Sequence, residues 1–174
     1  MQESPYLEGN EFLLEKLQRL PFLGSVDGKY IKHILCLSKL RTFDDGEVVT
    51  KERAFDSWVY ILFSGAVKIV KNGKEITRID QVGSTFGEIS AVDGKARSAS
   101  VEAVGRTVCL AIDASFMNEM AEPLEQALFV SILYKLFAEV IAQRLRATNE
   151  ELVMVRSELE RLRKANRGDM KKVE

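Results

Sequence analysis

The stretch SWVYILFSGAVKIVKNGKEITRI, residues 57–79, decides the fold. It consists of runs rich in Val, Ile and aromatics, interrupted by Gly65 and by Asn72-Gly73. An Asn-Gly pair between KIVK and KEITRI is a strong two-residue hairpin signal, because both turn positions need positive φ. Outward from it, RTFDDGEVVTKE (41–52) and SASVEAVGRTVCLAI (98–112) repeat the same texture of short apolar runs and Gly turns. About eight such strands between residues 41 and 113 predict a closed antiparallel roll rather than an open sheet.

The flanks carry a different period. Residues 11–40 show helical spacing at Phe12, Leu13, Leu17, Ile31, Ile34 and Leu35, broken at Pro21 and at two Gly-containing turns. Two or three short helices are expected there. Asp113 or Ser115 can cap a short helix that Glu122-Pro123 ends. From Leu124 to Ala165 there is no Gly or Pro, which predicts one long helix. Its first half is apolar nearly all round and should pack on the roll. Its second half narrows to one stripe: Ile141, Leu145, Thr148, Leu152, Val155, Leu159 and Leu162.

Steps alternating between four and three residues make a heptad seam. With Leu145, Leu152 and Leu159 at a, Glu151 and Glu158 fall at g, opposite Arg156 and Arg163 at the partner's e. Those charges favour a parallel homodimer through residues 141–162. The plainer alternative is a single long helix laid on its own domain. The expected organisation is a helical segment over 1–40, the roll over 41–121 and a long helix over 122–165. Coiled-coil dimerisation begins at about residue 141, and 166–174 forms a basic flexible tail. The fold class is mainly β: a jelly-roll-like antiparallel roll with N-terminal helices and a long C-terminal helix.

Bulk properties narrow the function. The 174 residues are 46% hydrophobic and 29% charged, with a formal net charge of -1. Nothing global argues for nucleic acid or an anionic membrane. Cys36 and Cys109 sit in apolar surroundings far apart, giving no disulfide framework and no zinc spacing. The N-terminus MQESPYLEGNEF lacks the features of a signal peptide. The most apolar run, residues 128–142, contains Lys135 and Glu139 and is too short to span a bilayer. A cytoplasmic protein with no membrane partner is expected.

The segment GSTFGEISAVDGKARSAS, residues 83–100, carries the chemistry. A cyclic phosphodiester on a ribose presents one negative charge, which the planar fork of an Arg matches better than Lys. Backbone N–H groups complete such a cradle where side chains are small. A carboxylate accepts from a ribose hydroxyl. Gly87-Glu88-Ile89 and Ala96-Arg97-Ser98-Ala99 supply these parts.

This segment resembles the phosphate-binding cassette of the cyclic nucleotide-binding domain family. The pattern Gly-x-x-Phe-Gly-Glu, then Arg-x-Ala nine positions after the Glu, stands as Gly83, Phe86, Gly87, Glu88, Arg97 and Ala99. Gly46, Gly65 and Gly83 fall where the family has its turn glycines, and the likeness runs over residues 20–150. It implies a β-roll with N-terminal helices and a long C-terminal helix. Carried over, Glu88 bonds the ribose 2′-hydroxyl and Arg97 the cyclic phosphate. Ser98 adds a hydroxyl, while Gly87, Ile89 and Ala99 give backbone access beside Phe86. QRLRATNEE (143–151) resembles the central-helix stretch that reaches adenine in the catabolite-activator members. There Thr148 bonds the exocyclic amine, and Asn149 reaches across from the partner. The departures are Ala96, where many members have Pro, and a longer helical run before Arg144. The implied ligand is cyclic AMP, or cyclic GMP through a hydroxyl following the Arg; no cofactor or metal is implied.

Rival functions lack their residues. A metal-dependent barrel enzyme needs clustered His, and His33 stands alone in a predicted helix. No Ser/His/Asp or Cys/His pairing is present, so the chain does not read as an enzyme. Two separated cysteines cannot hold an iron–sulfur cluster. A DNA-binding regulator would append about 50 residues or more after the helix, whereas NRGDMKKVE is all that follows Ala165. The expected protein is a cyclic nucleotide sensor that couples ligand to a dimeric helix and acts on an unknown downstream protein. The alternatives are a ligand-less dimerisation scaffold of the same fold, with Glu88 and Arg97 paired to each other, or the sensor fragment of a larger transcription regulator.

Overall fold

The computed structural model describes residues 1–20, 23–24, 26–115 and 123–170. Two compact units are present, Met1–Ala138 and Glu139–Glu174. The first unit opens with β1 (Gln2–Glu3), α1 (Glu11–Gln18) and α2 (Gly28–Cys36). Both helices begin at the expected kind of cap: the Asn10 carboxamide accepts from Leu13 N at 3.0 Å, and the Asp27 carboxylate accepts from Lys29 N at 2.9 Å. Then come β2 (Ser38–Phe43), β3 (Val48–Thr50), β4 (Trp58–Lys71), β5 (Lys74–Ile79), β6 (Thr85–Phe86), α3 (Glu88–Asp93) and β7 (Ser100–Asp113). The long helix α4 runs Pro123–Met170 and continues into the second unit.

The strands form one antiparallel sheet in the order β1-β2-β7-β4-β5, with β3 on β7 and β6 on β4. The mainly-β class with flanking helices holds, but the strand count is lower than the Gly breaks suggested. Gly65 and Gly105 do not end strands; β4 and β7 run 14 residues each, and β4 pairs β7 through register shifts around Ser64. Gly65 sits in that irregularity at φ +83, and a Cβ there would lie 2.6 Å from the Arg106 carbonyl. The glycine permits a close strand crossing rather than a turn. Asn72-Gly73 does turn the chain: φ is 50 and 74, and Lys71 pairs with Lys74 across it.

Two apolar layers explain why SWVYILF lacks strand alternation. Tyr60 and Leu62 face the roll interior with Phe43, Val67, Phe86, Val101, Cys109 and Ala111. Val59 and Ile61 face the other way, packing with Leu13, Leu17, Ile31, Ile34, Phe129, Leu133, Leu136 and Phe137. A strand buried on both faces reads as an unbroken apolar run. The first four turns of α4 therefore belong to the outer core, and Phe129 anchors them by stacking with Tyr30 at 6.3 Å and meeting His33 edge-on at 5.8 Å.

The N-terminal segment contributes a strand that no periodicity announced. Gln2–Glu3 pairs with Arg41–Thr42 along the edge of β2, and Glu3 bonds Arg41 at 2.6 Å and Lys39 at 2.8 Å. The short helix expected after Asp113 falls on residues 116–122, outside the described residues. So do residues 171–174 of the basic tail. No helix among the described residues is long and apolar enough to cross a membrane.

Candidate functional site

The strand β6, the helix α3 and the loop before β7 form one continuous cassette. Phe86 ends β6 with its ring buried and stacked on Tyr60, centroids 5.2 Å apart at 9°. Gly87 follows at φ 86 as the N-cap of α3. A Cβ on Gly87 would stand 2.7 Å from Arg97 Nη1 and 2.9 Å from the Trp58 carbonyl, so no side chain fits. Glu88, first in α3, is 0% exposed, an uncommon place for a carboxylate. Ile89 is exposed beside it.

Arg97 closes the other end and is also buried, at 4% exposure. Its backbone is clamped on both sides: Arg97 N donates to the Ala54 carbonyl at 2.8 Å, and Arg53 N donates to the Arg97 carbonyl at 2.9 Å. Its guanidinium is held more completely still. Nε donates to Asp56 Oδ2 at 3.0 Å, and Nη2 donates to Asp56 Oδ1 and to the Trp58 carbonyl. Nη1 donates to the Gly87 carbonyl and to Ser90 Oγ, each at 2.7 Å. Those are five bonds for the five N–H donors that an Arg possesses.

The carboxylate opposite Arg97 is thus Asp56, from the loop between β3 and β4. Asp56 Oδ1 also accepts from Trp58 N at 3.1 Å, an Asx turn that fixes the carboxylate. Beneath the pair, the Arg41 guanidinium lies 3.8 Å from the Trp58 ring centroid and donates to the Tyr60 hydroxyl at 2.8 Å. Burial raises the Tyr60 phenol above its usual range.

Of the residues singled out by sequence, Phe86, Gly87, Glu88, Ile89, Arg97, Ser98 and Ala99 share this cassette, Ser98 exposed and Ala99 half-buried. Thr148 and Asn149 lie on α4 in the second unit, both exposed. Sequence reasoning missed Asp56 and Ser90. Asp56 precedes a strand in KERAFDSW, a common place for a turn residue, and its one sequence signal is the Asp-Ser-Trp order of an Asx turn. Ser90, a small residue inside a short helix, carries no local signal of its partner.

A cavity of about 300 Å³ lies elsewhere, among Glu8, Asn10, Leu14, Lys32, Leu35 and Cys36 at α1 and α2. It contains none of the cassette residues. No group of three or more His, Cys, Asp or Glu able to hold a metal occurs among the described residues.

The β-roll thus buries an acid, Glu88, and an Arg, Arg97, in one cassette around the left-handed Gly87. Residues 40–123 match the family described as cyclic nucleotide-binding domain. A cGMP-dependent protein kinase of Eimeria tenella is 35% identical over 69 residues, which is 40% of this chain and 7% of that kinase. The chain therefore spans only a small part of that relative's length. Among solved structures, a cyclic nucleotide-binding domain from Methylobacillus flagellatus superimposes with a TM-score of 0.69 at 17% identity, covering 86% of this chain and 87% of that one. The catabolite activator protein of Thermus thermophilus gives a TM-score of 0.60 at 23% identity, covering 78% and 62% respectively. These two likenesses establish the fold.

Proposed function

We propose that the chain is a regulatory sensor of a cyclic nucleotide, cyclic AMP in preference to cyclic GMP. The observation that carries the reading is the joint burial of Glu88 and Arg97 in one cassette around a glycine that tolerates no Cβ. Burying two ionisable side chains is costly, and a fold keeps such groups where they serve a site. In this reading Arg97 meets the cyclic phosphate and Glu88 the ribose 2′-hydroxyl, with Ser98 and the backbone of Gly87, Ile89 and Ala99 around them. The adenine contacts assigned to Thr148 and Asn149 rest on the sequence resemblance. The role is binding rather than catalysis, in the cytoplasm, with a downstream protein as the receiver.

Leu145, Leu152, Val155, Leu159 and Leu162 are all exposed on α4. An uncovered apolar stripe at heptad spacing supports a parallel homodimer through residues 141–162. Ligand binding signals through that helix only if one helix arrangement binds nucleotide better than another.

One observation favours a second reading. Every N–H of the Arg97 guanidinium already has a protein acceptor, which suits a scaffold that binds no ligand. Thermal melting with and without saturating cyclic AMP or cyclic GMP separates the two. The sensor melts higher with nucleotide, by about 2.7 kcal/mol of added stability at a hundred times Kd. The scaffold melts at one temperature throughout.

A further inference from the structure

We infer that Ser90 is the exchangeable acceptor of Arg97, its hydroxyl holding the place that an anionic phosphate oxygen takes on binding. This rests on the nucleotide reading above and names the group that must yield for it to operate. Arg97 has no spare donor, so an incoming anion gains the guanidinium only by displacing an acceptor.

The acceptors differ in how readily they leave. The Trp58 carbonyl is fixed in β4, which pairs Trp58 with Asp113. The Gly87 carbonyl belongs to the N-cap of α3, locked by its left-handed φ. Asp56 binds Arg97 through both oxygens and is anchored again by Trp58 N. Exchanging Asp56 for phosphate would also trade one anion for another. Ser90 alone is neutral, half-buried and attached by one freely staggered bond.

A rotation about χ1 therefore releases Nη1 without disturbing the backbone. The exchange replaces a neutral hydroxyl by a charged oxygen, and charge-assisted bonds are about twice as strong as neutral ones. Ser90 Oγ also donates to the Gly87 carbonyl at 3.2 Å, which holds it in the blocking rotamer.

The exchange sets the sign of a substitution. Ser90→Ala leaves Nη1 short of an acceptor only in the empty site, so the empty state loses more than the bound one. Calorimetry with cyclic AMP and cyclic GMP, paired with melting in the absence of nucleotide, tests this. Ser90→Ala should melt lower when empty yet bind about three- to tenfold more tightly than wild type. Ser90→Thr keeps the hydroxyl and should stay within about twofold. Weaker or unchanged binding by Ser90→Ala, or a Thr variant that tracks the Ala variant, overturns the inference and leaves the sensor reading standing. Absence of heat from wild type with either nucleotide removes both.

Discussion

Asp56 and Arg97, 41 positions apart in sequence, meet in a two-point contact inside the first unit, Nε to Oδ2 at 3.0 Å and Nη2 to Oδ1. The contact ties the loop before β4 to the end of the cassette. It makes Arg97 a structural residue as well as the candidate phosphate ligand.

Arg97 is buried whereas Asp56 is half-buried, and removing the acid leaves a buried cation without its counter-charge. Asp56→Ala is expected to cost about 3–5 kcal/mol of unfolding free energy, read as a lower urea midpoint at constant slope. Asp56→Asn keeps an acceptor and the turn, and should cost less. Equal effects of the two would mean that the charge contributes nothing.

Gly87 is constrained twice, by φ 86 and by the space taken by Arg97 Nη1 and the Trp58 carbonyl. Gly87→Ala should destabilise by more than the ~1–2 kcal/mol of a left-handed residue alone. Gly94, also left-handed at φ 67 but with nothing near its missing Cβ, is the control. Gly94→Ala should show the conformational cost without the clash, and circular dichroism melts compare the two.

Cys109 lies in the roll interior, and burial pushes its thiol from an ordinary 9.0 up to about 12. A raised folded value means that its stabilising contribution is whole below pH 9 and is lost as pH rises toward 12. Unfolding midpoints should therefore fall through that window, and Cys109→Ala should flatten part of the decline. Tyr60, raised by the same burial, accounts for another part. In native protein at neutral pH, a thiol reagent should leave Cys109 unmodified while reaching the exposed Cys36.

The α4 seam predicts an assembly. A chain ending at residue 147 should elute as a monomer in light-scattering chromatography, and Leu152→Lys in the full chain should shift dimer toward monomer. A truncated chain that stays dimeric would place the interface elsewhere.

Much of this was legible from sequence where one residue type dictates one backbone. Asn72-Gly73 can only turn tightly, and it does. The cassette from Phe86 to Ala99 was legible because its residues are close in sequence and left-handed glycines, Gly87 and Gly94, bracket the one short helix between them. Gly65 misled, since a glycine needed for a close crossing looks in sequence like a glycine needed for a turn. Asp56 and Ser90 stayed hidden for a different reason. Their partner is far away in sequence, and an Asp before a strand or a Ser in a short helix has ample local reasons to exist. The N-terminal strand is two residues long and carries no period at all.

The most direct test of the account is calorimetric titration of wild type and Arg97→Ala with cyclic AMP and with cyclic GMP. The account predicts heat from wild type with at least one nucleotide, cyclic AMP binding more tightly, and loss of binding in the Arg97→Ala protein, whose fold is checked beforehand by circular dichroism. No heat from wild type with either nucleotide, or equal binding by a folded Arg97→Ala variant, would contradict it.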